Sequence, residues 1–119
     1  MSKKIIIIAG DPNSVNSEII SKSWKKIIPS LRQKLYLVAN FDLVNKQLKK
    51  IKCQIPIYKI KNIDENSGTK KLKIIDVPLN FKNPFNVTSK NSRSYLTKCF
   101  NLAHQLGLNK NVKGLINCP

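Results

Sequence analysis

Residues 4 to 9, KIIIIA, form a β-branched apolar run that is too short for a helix and is closed by Gly10. A strand with one wet face alternates apolar and polar residues, whereas a strand covered on both faces reads as a continuous apolar run. The run predicts a central parallel strand. Parallel neighbours need long crossovers, which points to helices on both faces and an α/β sheet.

The rest of the chain supplies such crossovers. From Asn16 or Ser17, either a good N-cap, Ile19, Ile20, Ser23, Trp24, Ile27 and Ile28 recur in pairs four apart, with Lys22, Lys25 and Lys26 between them. This is an amphipathic helix stopped by Pro29. LYLVA (35 to 39) reads as a second strand, and Asn40 caps a helix whose Phe41, Val44, Leu48 and Ile51 share a face. IPIYKI (55 to 60) is a third strand, which Pro56 restricts to a start or an edge position. The polar stretch 61 to 71, with Gly68, is a surface loop; LKIIDV (72 to 77) is a further strand, and the Pro-rich 78 to 88 is irregular. Ser89 opens a long helix with Leu96, Cys99, Phe100, Ala103 and Leu106 on one side and Gly107 as its C-cap, and VKGLINC (112 to 118) is the last strand. The expected architecture is a mostly parallel or mixed sheet with flanking helices and right-handed crossovers. At 119 residues there is one core and no internal boundary.

The net charge of +16 raises the question of nucleic acid. Its distribution argues against that partner. Of 22 cationic residues only Arg32 and Arg93 are arginine, no basic run exceeds Lys-Lys, and no RNA-binding aromatic signature is present. Lys, Ile and Asn, all with A/T-rich codons, make up 20, 16 and 14 of the 119 residues, so a skewed genome accounts for much of the charge. Cys53, Cys99 and Cys118 are odd in number and widely spaced, which indicates reduced cytoplasmic thiols rather than a zinc site or a disulfide framework. Neither a signal peptide nor a membrane span is expected.

The loop after the first strand, AGDPNSVNSE, has two readings. A backbone approaching phosphate needs glycine and a following helix N-terminus, and Gly10 alone meets the first need; neither Gly-x-Gly-x-x-Gly nor a Walker pattern is present. The other reading is an ordinary turn in which Asp11 and Asn13 bond the local backbone and Glu18 complements the helix dipole. Elsewhere, His104 reads as a surface or packed residue, Trp24 and the aromatic residues at helical spacing as core, and Asp76 as a strand-end residue bonding the next turn rather than a catalytic carboxylate.

The segment KKIIIIAGDPNSVNSEII resembles the N-terminus of the 4-hydroxythreonine-4-phosphate dehydrogenase family, where a strand runs into Gly-Asp/Glu-Pro-Ala-Gly-Ile-Gly-Pro-Glu/Asp. Gly10, Asp11, Pro12 and Glu18 match that pattern and Val15 stands for its Ile, while Asn13, Ser14, Asn16 and Ser17 depart from it. NSRSYLTKCFNLAHQLGLNKNVKGLINCP is similar to the family's helix and the strand that ends in a Gly/Ala/Cys-Pro-x-x-Lys loop, of which Cys118 and Pro119 would be the first residues. The resemblance spans essentially the whole chain.

It implies the N-terminal portion of an NAD-dependent enzyme of pyridoxal phosphate biosynthesis, with a fold similar to isocitrate and isopropylmalate dehydrogenases. Such an enzyme oxidises 4-phosphooxy-L-threonine, a small phosphorylated amino acid, and lets the resulting β-keto acid decarboxylate. A divalent metal (zinc, magnesium or cobalt), held by three histidines shared across a homodimer, would polarise the forming carbonyl. None of those ligands is assigned in this chain, and His104 matches none of them. Gly10 and Asp11 are the residues expected beside the cofactor or the domain cleft. Two rivals remain: a phosphate acyltransferase of similar architecture, and a small basic nucleic-acid-binding protein.

Overall fold

The computed structural model describes residues 3–63 and 71–118. The polar-loop carboxylates Asp64 and Glu65, the loop glycine Gly68 and the terminal Pro119 lie outside them. Five strands, β1 (Lys4–Ile8), β2 (Leu35–Ala39), β3 (Ile57–Ile60), β4 (Leu72–Asp76) and β5 (Val112–Asn117), form one sheet in the order β3-β4-β2-β1-β5. Every pairing is parallel. β1 is internal, as its isoleucine run requires, with Ile6 and Ile8 buried on one face and Ile5 and Ile7 packed against the core on the other. β3 is an edge strand that begins just after Pro56, where the missing N–H removes no ladder bond.

Helices α1 (Asn16–Lys26) and α3 (Phe41–Lys50) cover one face, where Trp24, Val44 and Leu48 meet Leu37, Leu72 and Ile74. The other face carries α4 (Ser89–Gly107), whose Tyr95, Cys99 and Ala103 pack on Ile6, Ile8 and Val38. Between α1 and β2 a short helix α2 (Pro29–Arg32) starts with Pro29 in its first turn.

Four expectations are corrected. The N-cap of α1 is Val15, with no side-chain capping bond, because Asn16 and Ser17 are buried and their side chains are engaged elsewhere in the fold. The buried stripe of α4 is Ser92, Tyr95, Cys99 and Ala103; Phe100 is 43% exposed, because the helix is rotated to bring Tyr95 under the sheet end. Phe100 is therefore not a core aromatic. The C-cap of α4 is Leu108 in right-handed conformation. Gly107 is the last helical residue, and a Cβ there would come within 3.3 Å of Leu115 Cδ1, so it permits close approach of α4 to β5 rather than a left-handed stop. By contrast Asn40 caps α3 as expected, its side chain accepting from Leu43 N–H at 2.9 Å.

Candidate functional site

From β1 the chain steps to β2 on one side, and from β4 it returns through α4 to β5 on the other side of β1. The topological switch therefore lies at β1. In open parallel sheets the crevice beyond the strands' carboxyl ends at such a switch is where ligands bind. The loop after β1 and the residue after β5 meet there.

Gly10 adopts φ +78°, a conformation open to glycine at little cost. A Cβ at this position would stand 2.2 Å from the Cys118 carbonyl oxygen and 2.7 Å from Asn16 Nδ2. The space that the missing side chain leaves is thus filled by the protein's own β5 end. Cys118 N–H in turn donates to Ile8 C=O at 3.0 Å. Burial pushes the Cys118 thiol above its ordinary value, so it is a protonated neighbour rather than a thiolate at neutral pH.

Asp11 is exposed at the rim. Its Oδ1 accepts from Asn13 N–H at 2.9 Å, and its C=O accepts from Ser14 Oγ at 2.7 Å. Ser14 Oγ also accepts from Asn16 N–H at 3.2 Å, serving the start of α1 in place of a conventional cap. Asn16 Nδ2 reaches back to Ala9 C=O at 2.9 Å. The local bonding expected of Asp11 in the turn reading is therefore present, whereas the Asn13 side chain turns to a distant segment instead of the local backbone.

The loop is also tied to the rest of the rim. Asn13 Nδ2 donates to Val87 C=O at 2.9 Å and Asn13 Oδ1 accepts from Val87 N–H at 2.7 Å, a reciprocal pair joining the β1–α1 loop to the segment before α4. Gln47, only 3% exposed, donates through Nε2 to Pro12 C=O at 2.7 Å and Pro84 C=O at 2.6 Å, and its Oε1 accepts from the Ser17 hydroxyl. One amide on α3 thus holds two loops and the head of α1.

A second set lies beside β2 and β4. Asn40 N–H donates to Tyr95 Oη at 2.8 Å and Asn40 Nδ2 to Val77 C=O at 2.8 Å. Asp76 Oδ1 accepts from Phe41 N–H at 2.8 Å, so its carboxylate serves the first turn of α3, across the sheet end, rather than the turn that follows it in sequence. Burial, with Cys99 next to it, raises the Tyr95 phenol well above its ordinary value, and the hydroxyl stays neutral. Before α4 a hollow of about 520 Å³ opens, with Asn80, Lys82, Asn86 and Thr88 among its lining.

Sequence reasoning named Gly10 and Asp11, and they stand at the switch. It missed Gln47 and Asn13 as organisers of the rim. Gln47 carried a signal, being a polar residue three positions after Val44 on the apolar stripe of α3; Asn13 carried none beyond its turn propensity. For a metal the described residues do not fit: they contain no group of three His, Cys, Asp or Glu side chains, and His104 is exposed on α4.

No family model matches the chain, and no curated protein does. Solved structures do match. A 4-hydroxythreonine-4-phosphate dehydrogenase from Burkholderia phymatum superposes on 100% of the chain with a TM-score of 0.85 at 16% identity. One from Klebsiella pneumoniae covers 99% with a TM-score of 0.80 at 22% identity. A Salmonella typhimurium protein described as such an enzyme covers 100%, again at 0.80, with 21% identity. The chain has the fold of these dehydrogenases. It spans 37 to 38% of their length. Among the described residues no helix is long and apolar enough to cross a membrane.

Proposed function

We propose that this chain is the N-terminal portion of a longer enzyme that oxidises 4-phosphooxy-L-threonine with NAD, with decarboxylation, in pyridoxal phosphate biosynthesis. The observation that supports the reading most is the superposition of the whole chain on 4-hydroxythreonine-4-phosphate dehydrogenases, with a TM-score of up to 0.85. NAD would act as the hydride acceptor. The part assigned to this chain is the cofactor side of the cleft. Gly10 shapes the loop at the switch point, and Asp11 offers an exposed carboxylate that accepts hydrogen bonds from ligand hydroxyls. The network of Asn13 and Gln47 holds that carboxylate in place without a step of its own in the chemistry. The described residues hold no metal set, so a divalent metal and its histidines would belong to other parts of a cytoplasmic homodimer, and no step here is derived through it.

The test is a coupled assay on the complete polypeptide that carries this segment. NAD reduction on addition of 4-phosphooxy-L-threonine is expected. Acyl transfer between acetyl phosphate and coenzyme A, without NAD reduction, would replace the dehydrogenase reading by an acyltransferase of similar architecture.

A further inference from the structure

Helix α3 ends in a turn that glycine usually makes. Lys52 takes φ +56°, its N–H donates to Lys49 C=O at 3.2 Å and Cys53 N–H donates to Leu48 C=O at 3.1 Å, so the chain doubles back on the helix in a Schellman motif. The residue after the left-handed position is turned inward. Here it is Cys53, 9% exposed.

The sulfur meets α1. Ser21 Oγ lies 3.0 Å from Cys53 Sγ and Lys25 Nζ lies 3.7 Å from it, 28 positions earlier in the chain. Ser21 has one hydroxyl proton and two neighbours for it, Glu18 C=O at 2.9 Å and the sulfur, so it can accept from a thiol or turn and donate to a thiolate. Lys22 is paired with Glu18 at 2.9 Å, whereas Lys25 has the sulfur as its side-chain partner. The other cysteines differ: burial pushes the Cys99 thiol up to about 11 and the Cys118 thiol upward, which keeps both protonated. A cation beside sulfur is the setting in which a cysteine reacts as a nucleophile, and a sulfenic acid formed there condenses with a nitrogen within reach.

We propose that Cys53 and Lys25 are a modification pair: hydrogen peroxide oxidises Cys53, and Lys25 closes a sulfur–nitrogen bond that ties α1 to the end of α3. In the first step the Cys53 thiolate attacks the peroxide, an S–O bond forms, the O–O bond breaks, and the released hydroxide takes a proton from the Lys25 ammonium. In the second the Lys25 amine attacks the sulfenic sulfur, the S–N bond forms, the S–O bond breaks, and the departing hydroxide leaves as water with a second amine proton. Sulfur gives up two electrons, the peroxide receives them, and two waters leave. Lys25 is exposed on a flexible stem, so side-chain rotation closes the remaining gap. Both helices run back from the crevice, so the pair sits at the other end of the sheet and does not rest on the proposed reaction.

Peptide mass mapping of the complete polypeptide that carries this segment, before and after hydrogen peroxide, tests this. Expected is one linked peptide holding Lys25 and Cys53, lighter by two hydrogens than its separate parts, resistant to trypsin at Lys25 and separated again by dithiothreitol. The tie should also raise the thermal midpoint by several degrees. Lys25→Arg keeps the cation but removes the amine; it should lose the link and leave on Cys53 a sulfenic acid that dimedone traps. Lys26→Arg, at the next exposed lysine, should keep the link. Cys53 untouched by peroxide, Cys53 oxidised with Lys25 still free in the parent, or a link that survives Lys25→Arg would overturn the proposal.

Discussion

Gly10 sits where two requirements coincide, a left-handed backbone and contact with the Cys118 carbonyl. Gly10→Ala must strain the turn and push the end of β5 away, and it should lower stability by about 2 kcal/mol in urea denaturation. An unchanged midpoint would mean that the β5 end yields freely. Gln47→Ala leaves the Pro12 and Pro84 carbonyls and the Ser17 hydroxyl without their partner, a loss of about 3 kcal/mol, with faster amide exchange in both loops. Exchange confined to α3 would contradict its role as a tie between loops. The buried Cys99 thiol is pushed up from 9.0 to about 11, and the Tyr95 phenol is raised above 10.0. The folded state therefore holds these protons more tightly than the unfolded state: the Cys99 contribution is complete below pH 9 and is lost as pH rises through 11, and the Tyr95 contribution begins to be lost only above pH 10. Lys73, whose value desolvation and the nearby Lys4 lower, works in the opposite direction below its ordinary 10.5. A stability–pH profile of Cys99→Ala should fall less steeply between pH 9 and 11 than that of the parent.

At the scale of elements, α4 offers a paired comparison. Tyr95 Oη accepts from the Asn40 N–H, whereas the Ser92 hydroxyl is buried with no partner among the described residues. Tyr95→Phe should cost about 1 kcal/mol, and Ser92→Ala should be neutral or stabilising, because it removes a buried polar group that makes no bond. Chemical denaturation of the two variants checks the order; a larger loss for Ser92→Ala would point to an unseen partner for that hydroxyl. The same helix shows why some features were legible and others were not. Continuous or β-branched runs such as KIIIIA and LYLVA announce strands because burial on both faces leaves no choice of residue. The face of α4 was misjudged because Phe100 and Tyr95 are both aromatic, and only the hydrogen bond to Asn40 selects Tyr95 for the interior. Asn16 and Ser17 looked like caps, yet their partners, Ala9 and Gln47, are set by tertiary placement. The position of Gly10 and Asp11 at the crevice was legible because a loop after a buried parallel strand faces it; their role beside a cofactor is a proposal. The Gln47 tie was not, since it joins segments 35 and 37 residues away.

Over the whole molecule, the sheet places its switch at β1, and the described residues carry no metal set there. The 119-residue chain by itself should give no NAD reduction with 4-phosphooxy-L-threonine at any added zinc, magnesium or cobalt concentration; measurable turnover would mean that it is sufficient alone. The cofactor-side assignment is tested most directly by the Michaelis constant for NAD in the complete polypeptide carrying Asp11→Ala. Asp11 is exposed and contributes one bond to its own turn, so this variant keeps the fold, which Gly10→Val would not. The account predicts a Michaelis constant for NAD raised several-fold, with that for 4-phosphooxy-L-threonine and the thermal midpoint close to the parent. An unchanged constant for NAD would contradict it and reduce the loop to a structural turn.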